Sequence, residues 1–206
     1  MSLYDVARGL FKGICKILFR IEVVGLENVP KEGSFVICSN HKSNFDPIAI
    51  AVVLPIKLNF MAKEELFRFK PLGYLLHSLR AFPVKRGKSD IGALKAAMSV
   101  LKNEGRLLIF PEGTRAKGEY LEEGKGGAAL IAVKSSVNIL PIGIKGRFKL
   151  FSRVKINIGE MIDLSENFGQ RVDSEKINGI VDNKLMPTLS KLSEMPIRKR
   201  VENFNS

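Results

Sequence analysis

Apolar residues recur at helical spacing over the first 18 positions. Leu3, Tyr4, Ala7, Leu10, Phe11, Ile14, Ile17 and Leu18 share one face, and Arg8, Lys12, Lys16 and Arg20 follow at every fourth position opposite. The pattern predicts a basic amphipathic helix, which either packs on its own domain or lies on a membrane surface. Beyond it, short apolar runs alternate with helical stretches. Strands are predicted at Ile21–Val24, Phe35–Ser39, Leu58–Ala62, Ala81–Val84, Leu107–Phe110, Ile139–Ile144 and Val154–Ile158. Helices are predicted over 47–54, 71–79, 90–103, 125–135 and 174–186, with Pro187 ending or kinking the last. Such alternation predicts an α/β domain, a single unit with a largely parallel central sheet flanked by helices. The chain divides into the amphipathic helix (1–20), the main domain (21–195) and a basic, frayed tail (196–206).

At 206 residues the chain suits one core without staples. Cys15 and Cys38 are the only cysteines, and they fit buried apolar positions in a reducing compartment better than a disulfide framework. The longest apolar run, Pro47 to Ile56, is well short of the ~20 residues that cross a bilayer. The N-terminus lacks the separate charged and apolar regions of a signal peptide. Lys and Arg number 33 against 21 Asp and Glu. The positive field this creates attracts nucleic acid, anionic lipid or a phosphorylated substrate. Between Lys57 and Lys88, Lys57, Lys63, Arg68, Lys70, Arg80, Lys85, Arg86 and Lys88 face only Glu64 and Glu65. No recognition helix or RNA-binding aromatic motif accompanies the charge, which argues against nucleic acid.

Two loops carry candidate chemistry. Cys38-Ser39-Asn40-His41-Lys42-Ser43-Asn44-Phe45-Asp46-Pro47 joins a buried strand to a helix, at the strand end where open α/β sheets place ligands. Asp46-Pro47 reads as a helix N-cap followed by proline in the first turn. A separation of five residues would not bring His41 and Asp46 together within one helix, but a turn can. A carboxylate on one ring nitrogen fixes the tautomer and makes the other nitrogen a better base for an alcohol. The same spacing also fits a surface histidine beside an ordinary cap. In the second loop, Phe110-Pro111-Glu112-Gly113-Thr114-Arg115, Gly113 permits close backbone approach, Thr114 offers a hydroxyl and Arg115 a planar fork for phosphate oxygens. Glu112 could orient that arginine or accept from a substrate hydroxyl, and the segment is equally an ordinary turn with a structural Arg–Glu pair.

Asn40 to Pro47 and Phe110 to Arg115 resemble the first and third blocks of the glycerolipid acyltransferases, specifically the 1-acyl-sn-glycerol-3-phosphate acyltransferases. Phe82-Pro83-Val84-Lys85-Arg86-Gly87 resembles the second block and Ile139-Leu140-Pro141-Ile142-Gly143-Ile144 the fourth, while Lys125-Gly126-Gly127-Ala128 is similar to the stretch opening the intervening helix. The resemblance spans about residues 35–145. It implies His41 as general base, Asp46 as its charge partner, Arg86 and Arg115 as phosphate binders with Thr114 beside them, and Glu112 and Gly113 in the acceptor site. Pro141 would shape the acyl site. The implied reaction moves a fatty acyl group from acyl-CoA or acyl-carrier protein to the free sn-2 hydroxyl of 1-acyl-glycerol-3-phosphate, giving phosphatidic acid. No cofactor and no metal are expected.

The implied partners are a membrane phospholipid surface, a lysophospholipid acceptor and the thioester donor, and the implied location is the cytoplasmic face as a peripheral protein. Rival expectations are acylation of glycerol-3-phosphate or another lysophospholipid, or a non-catalytic basic membrane-binding module. Gly87-Lys88-Ser89 imitates a P-loop but lacks the glycine five residues earlier, where Phe82 stands. His77, among Leu75, Leu76 and Leu79, reads as a packed helical residue.

Overall fold

A computed structural model describes residues 2–84 and 91–198. The amphipathic segment forms α1 (Leu3–Leu18), opened by a capping box in which Ser2 and Asp5 bond reciprocally. Strand β1 (Arg20–Val24) and β2 (Phe35–Ser39) follow, then α2 (Asp46–Val53), β3 (Asn59–Lys63), α3 (Lys70–Ser78) and β4 (Ala81–Val84). The second half contains α4 (Ile91–Lys102), β5 (Arg106–Ile109), α5 (Gly127–Lys134), β6 (Ile139–Lys145), β7 (Arg153–Ile158), α6 (Ser174–Ile180) and α7 (Met186–Ser193). All seven predicted strands form, each within a residue of its expected bounds.

The strands make one sheet in the order β1-β7-β6-β2-β5-β3-β4. Pairing is parallel from β6 through β4, and β1 is parallel to β7, but β7 runs antiparallel to β6. The sheet is therefore largely parallel, with the edge strand β1 and its neighbour β7 reversed. Every residue of β2 is buried, as expected of a strand covered on both faces. Val36 and Cys38 pack toward the side that holds α4 to α7, and Phe35 and Ile37 toward the side that holds α2. Burial raises the Cys38 thiol well above its ordinary range. Both cysteines are free and buried.

Two expectations near the C-terminus are corrected. Pro187 does not end the last helix: a π turn, Val181–Leu185, joins α6 to α7 and places the proline in the first turn of α7, where its missing N–H costs little. The helical path continues to Ser193 because Leu185, Met186 and Leu189 belong to the core. Residues 196–198 are not frayed, since Leu121 N–H donates to Pro196 O at 2.9 Å and Arg198 N–H to Leu121 O at 2.9 Å, and the rest of the expected tail, 199–206, lies outside the described residues. Helix α7 lies directly on β6 at Gly143, where a Cβ would sit 2.3 Å from the Leu192 carbonyl carbon. Only glycine permits that approach.

The apolar face of α1 divides in two. Tyr4 and Cys15 are buried against the domain, and the Tyr4 hydroxyl accepts Leu58 N–H at 3.0 Å. Arg8, expected on the outer basic stripe, turns inward instead and donates to the Leu54 carbonyl oxygen. That carbonyl, just past the end of α2, gains a donor from a half-buried arginine. Leu3, Val6, Leu10 and Ile17 remain exposed. At ~100° per residue they occupy an arc of about 60°. Packing and exposure thus coexist on one helix. Among the described residues, no helix is long and apolar enough to cross a membrane.

Candidate active site

Strands β2 and β5 are neighbours and parallel, so the loops leaving their carboxyl ends meet. The first loop is anchored by Asn40. Its side-chain amide donates to Ile144 O at 3.0 Å and its oxygen accepts Ile144 N–H at 2.7 Å, so a buried side chain prolongs the sheet bonding to β6. His41 follows at the point where the chain leaves the sheet. Its Nδ1 lies 2.8 Å from Asp46 Oδ2, and its ring stacks on Phe110 with centroids 4.0 Å apart. Nε2 has no protein partner among the described residues. A carboxylate on Nδ1 holds the proton there and leaves the Nε2 lone pair as base.

The N-cap expectation for Asp46 is overturned. Helix α2 begins at Asp46 itself, with Phe45 at the cap position and no side-chain cap bond. The carboxylate folds back over the preceding loop, where Oδ2 also accepts Lys42 N–H at 2.6 Å and Ser43 N–H at 2.7 Å. Asp46 is fully buried, and its Oδ1 has no hydrogen-bond partner. One oxygen therefore shapes the loop and orients the histidine together.

Glu112 also differs from its expected place among substrate-binding groups. It is buried, Oε1 accepts His41 N–H at 2.8 Å, and Oε2 accepts Glu122 N–H at 2.7 Å. Burial raises its carboxyl above the usual range, opposed in part by those two backbone donors. Glu112 is thus a strap holding the His41 loop to the segment after β5. The Ala116 N–H bond to His41 O, 2.7 Å, closes the same strap from the other side. Nor does Arg115 pair with Glu112: its Nη1 donates to Asn44 Oδ1 at 3.2 Å and its guanidinium is exposed at the mouth of the site. Gly113 has φ +68°, and a Cβ there would lie 3.0 Å from Lys125 Nζ, so that lysine rests over the glycine turn. Thr114 is exposed beside them. Arg86 lies outside the described residues.

The structure brings together His41, Asp46, Glu112, Gly113, Thr114 and Arg115. It leaves His77 on the surface of α3, its ring against Phe67. Sequence reasoning assigned no role to Asn40, Asn44 or Phe110. The signals available were a polar residue ending a buried strand and an aromatic ending another. Behind His41 opens a cavity of about 450 Å³, running between α1, α2 and strands β3 and β4, with Phe11, Ile48, Ala51, Ala62, Leu76 and Leu79 in its wall. Its lining is mostly apolar, with Arg8 and Lys63 among the exceptions.

A buried carboxylate–histidine pair on one strand-end loop, an exposed arginine and lysine on its neighbour and an apolar cavity behind the histidine agree with the comparisons. A family model described as Acyltransferase matches residues 20–145. The chain belongs to the acyltransferase family. The 1-acyl-sn-glycerol-3-phosphate acyltransferase of Bacillus subtilis is 33% identical over 165 residues, covering 77% of this chain and 81% of that protein. The Streptococcus pneumoniae protein of the same name is 31% identical over 176 residues, covering 82% of this chain, which spans 64% of that relative's length. Among solved structures, the 1-acyl-sn-glycerophosphate (LPA) acyltransferase PlsC from Thermotoga maritima matches with a TM-score of 0.69 and 25% identity, covering 92% of this chain and 81% of that one. The family membership implied by residues 40–47 and 110–115 is thereby established, and the fold expected of the acyltransferase family is the fold observed.

Proposed function

We propose that this chain transfers a fatty acyl group from a thioester to the free sn-2 hydroxyl of 1-acyl-glycerol-3-phosphate, forming phosphatidic acid. The observation that carries the reading is His41, locked through Nδ1 to Asp46, with its ring in the wall of an apolar cavity. His41 Nε2 takes the hydroxyl proton as the oxygen attacks the thioester carbonyl carbon. The tetrahedral oxyanion collapses, the C–S bond breaks, and the thiolate takes up a proton from the imidazolium or water. Asp46 stabilises the imidazolium while it exists. The N–H groups of His41, Lys42 and Ser43 already donate to Glu112 and Asp46, so the oxyanion is stabilised by other donors.

Arg115 and Lys125 flank the mouth and suit the acceptor phosphate, with Thr114 in reach and Arg86 assigned there by family pattern alone. The cavity, whose volume falls in the usual range of small-molecule sites, takes a substrate acyl tail. The exposed apolar stripe of α1 suits a peripheral membrane position, and the buried free thiols suit the cytoplasmic face. The decisive experiment measures transfer from acyl-CoA and from acyl-carrier protein to 1-acyl-glycerol-3-phosphate and to glycerol-3-phosphate, with His41→Ala as control. Transfer to the lysophospholipid that disappears in His41→Ala is expected. Transfer to glycerol-3-phosphate alone, or an undiminished rate in His41→Ala, would refute the assignment.

A further inference from the structure

The connection between β6 and β7, residues 146–152, closes on the corner where α1 passes into β1. Phe151 N–H donates to Leu18 O at 2.7 Å, and Arg20 N–H to Ser152 O at 2.9 Å. Within the turn, Ser152 Oγ donates to Arg147 O at 2.7 Å and accepts Lys149 N–H at 3.1 Å, while Ser152 N–H donates to Lys149 O at 2.9 Å. The tip is thus a built, internally bonded unit. It nevertheless holds Leu150 and Phe151 in solvent, each 64% exposed. Phe151 has φ +59°, a region that disfavours bulky side chains. The turn's hydrogen bonds hold that backbone conformation, but packing within the chain does not cover the two side chains. Just before the tip, Phe148 turns inward onto Phe19, 5.1 Å between centroids, and onto Phe45 at 6.1 Å. Phe45 lies between His41 and Asp46, so one layer of aromatic side chains separates the tip from the catalytic loop.

The surroundings are cationic. Arg20 and Arg153 occupy register-paired positions on β1 and β7, both are exposed, and neither has an ion-pair partner among the described residues. Like charges opposite one another across strands repel, which an anionic surface relieves. Lys149 adds a further exposed cation. The nearby acids are engaged elsewhere: Glu22 pairs with Lys155, Glu194 with Lys145, and Glu119 with Arg147 and Lys42. The exposed stripe of α1 ends at this corner, since Ile17, 72% exposed, adjoins the Leu18 whose carbonyl holds Phe151.

We propose that the β6–β7 tip is a second membrane-docking element, which inserts Leu150 and Phe151 into the interfacial layer of an anionic bilayer with Arg20, Lys149 and Arg153 among the lipid phosphates. Apolar residues ringed by cations fit a lipid surface better than an acidic protein, whose face offers no apolar depth for the two side chains. Docking there turns the catalytic loop toward the surface from which a lipid acceptor is drawn. The proposal rests on the membrane reading of α1 only in that both address the same bilayer.

The test uses the full chain and vesicles of phosphatidylcholine with and without phosphatidylglycerol, comparing Leu150→Ser/Phe151→Ser with Leu10→Ser/Ile17→Ser. The tip variant should lose about tenfold or more in partitioning to anionic vesicles and slow correspondingly on vesicle-held lysophospholipid. It should keep its melting temperature and its rate on a monomeric short-chain acceptor. Wild-type partitioning of the tip variant overturns the proposal, and if the α1 variant then detaches, the α1 reading stands without it. Detachment of the tip variant alone supports the tip and refutes the α1 reading. An equal loss on the soluble acceptor, or a loss confined to acyl-carrier protein as donor with vesicle binding intact, overturns the proposal in favour of a structural or a donor-binding role.

Discussion

Asp46→Asn separates the charge of Asp46 from its shape. To keep the Lys42, Ser43 and His41 donors, the asparagine must place its oxygen where Oδ2 now lies. Its NH2 group then falls at the buried Oδ1 position, which has no partner. A buried donor left unsatisfied costs about 1–3 kcal/mol. For a chain of this size that lowers the melting temperature by about 2–12 °C. A helix-cap role would predict almost no change, because asparagine and aspartate cap equally well. The catalytic effect has a different source. With Nδ1 and Oδ2 2.8 Å apart, the carboxylate favours the imidazolium by roughly 6 kcal/mol at an effective dielectric constant of ~20. A loss of 10⁴ in rate corresponds to about 5.4 kcal/mol, so the charge is large enough to account for the full ~10²–10⁴ range of general-base catalysis. The assay follows free thiol release from acyl-CoA at saturating acceptor, beside a thermal melt. Turnover should fall by about 10²–10⁴ in folded protein. Near-normal turnover in Asp46→Asn would falsify the charge-partner assignment.

Arg115→Lys keeps the charge but loses the planar fork, so the KM for the acceptor should rise several-fold while that for the thioester stays constant; equal weakening of both would make Arg115 structural. In Glu112→Gln one of the two backbone N–H groups meets an NH2 instead of an oxygen, which should cost about 1–3 kcal/mol in chemical denaturation. The Glu112 carboxyl is raised in the folded chain by burial, so its contribution is fully present below the ordinary carboxylate range and is lost as pH rises through the folded value. The wild type's margin over Glu112→Gln should therefore shrink as pH rises across that window, and a growing margin would refute the reading. Tyr4→Phe leaves the buried Leu58 N–H without an acceptor and should destabilise the whole domain by about 1–3 kcal/mol. Unchanged stability would mean that α1 is not part of the core.

The alternation of short apolar runs with helical spacing was enough to place all seven strands and to choose a parallel sheet, because strand and helix periods are local properties of the chain. The two loops were legible for the same reason: polar residues directly after a buried strand leave the sheet at its carboxyl end wherever that strand lies. Sequence alone could not determine what each side chain faces. His41 and Glu112 are 71 positions apart, and only the adjacency of β2 and β5 lets Glu112 hold the His41 backbone. Asp46 looked like a cap because Asp-Pro opens many helices, but a carboxylate meeting three donors in the preceding turn satisfies more of them than a cap bond would. Arg8 followed the basic stripe by periodicity and left it because the Leu54 carbonyl lay within reach once α1 docked beside α2. The reversal of β1 and β7 was equally hidden, since a strand carries the same pattern of apolar residues in either direction. Residue type and spacing select the elements and the candidate chemistry; partners distant in sequence decide which side chains act on a substrate and which hold the site in shape.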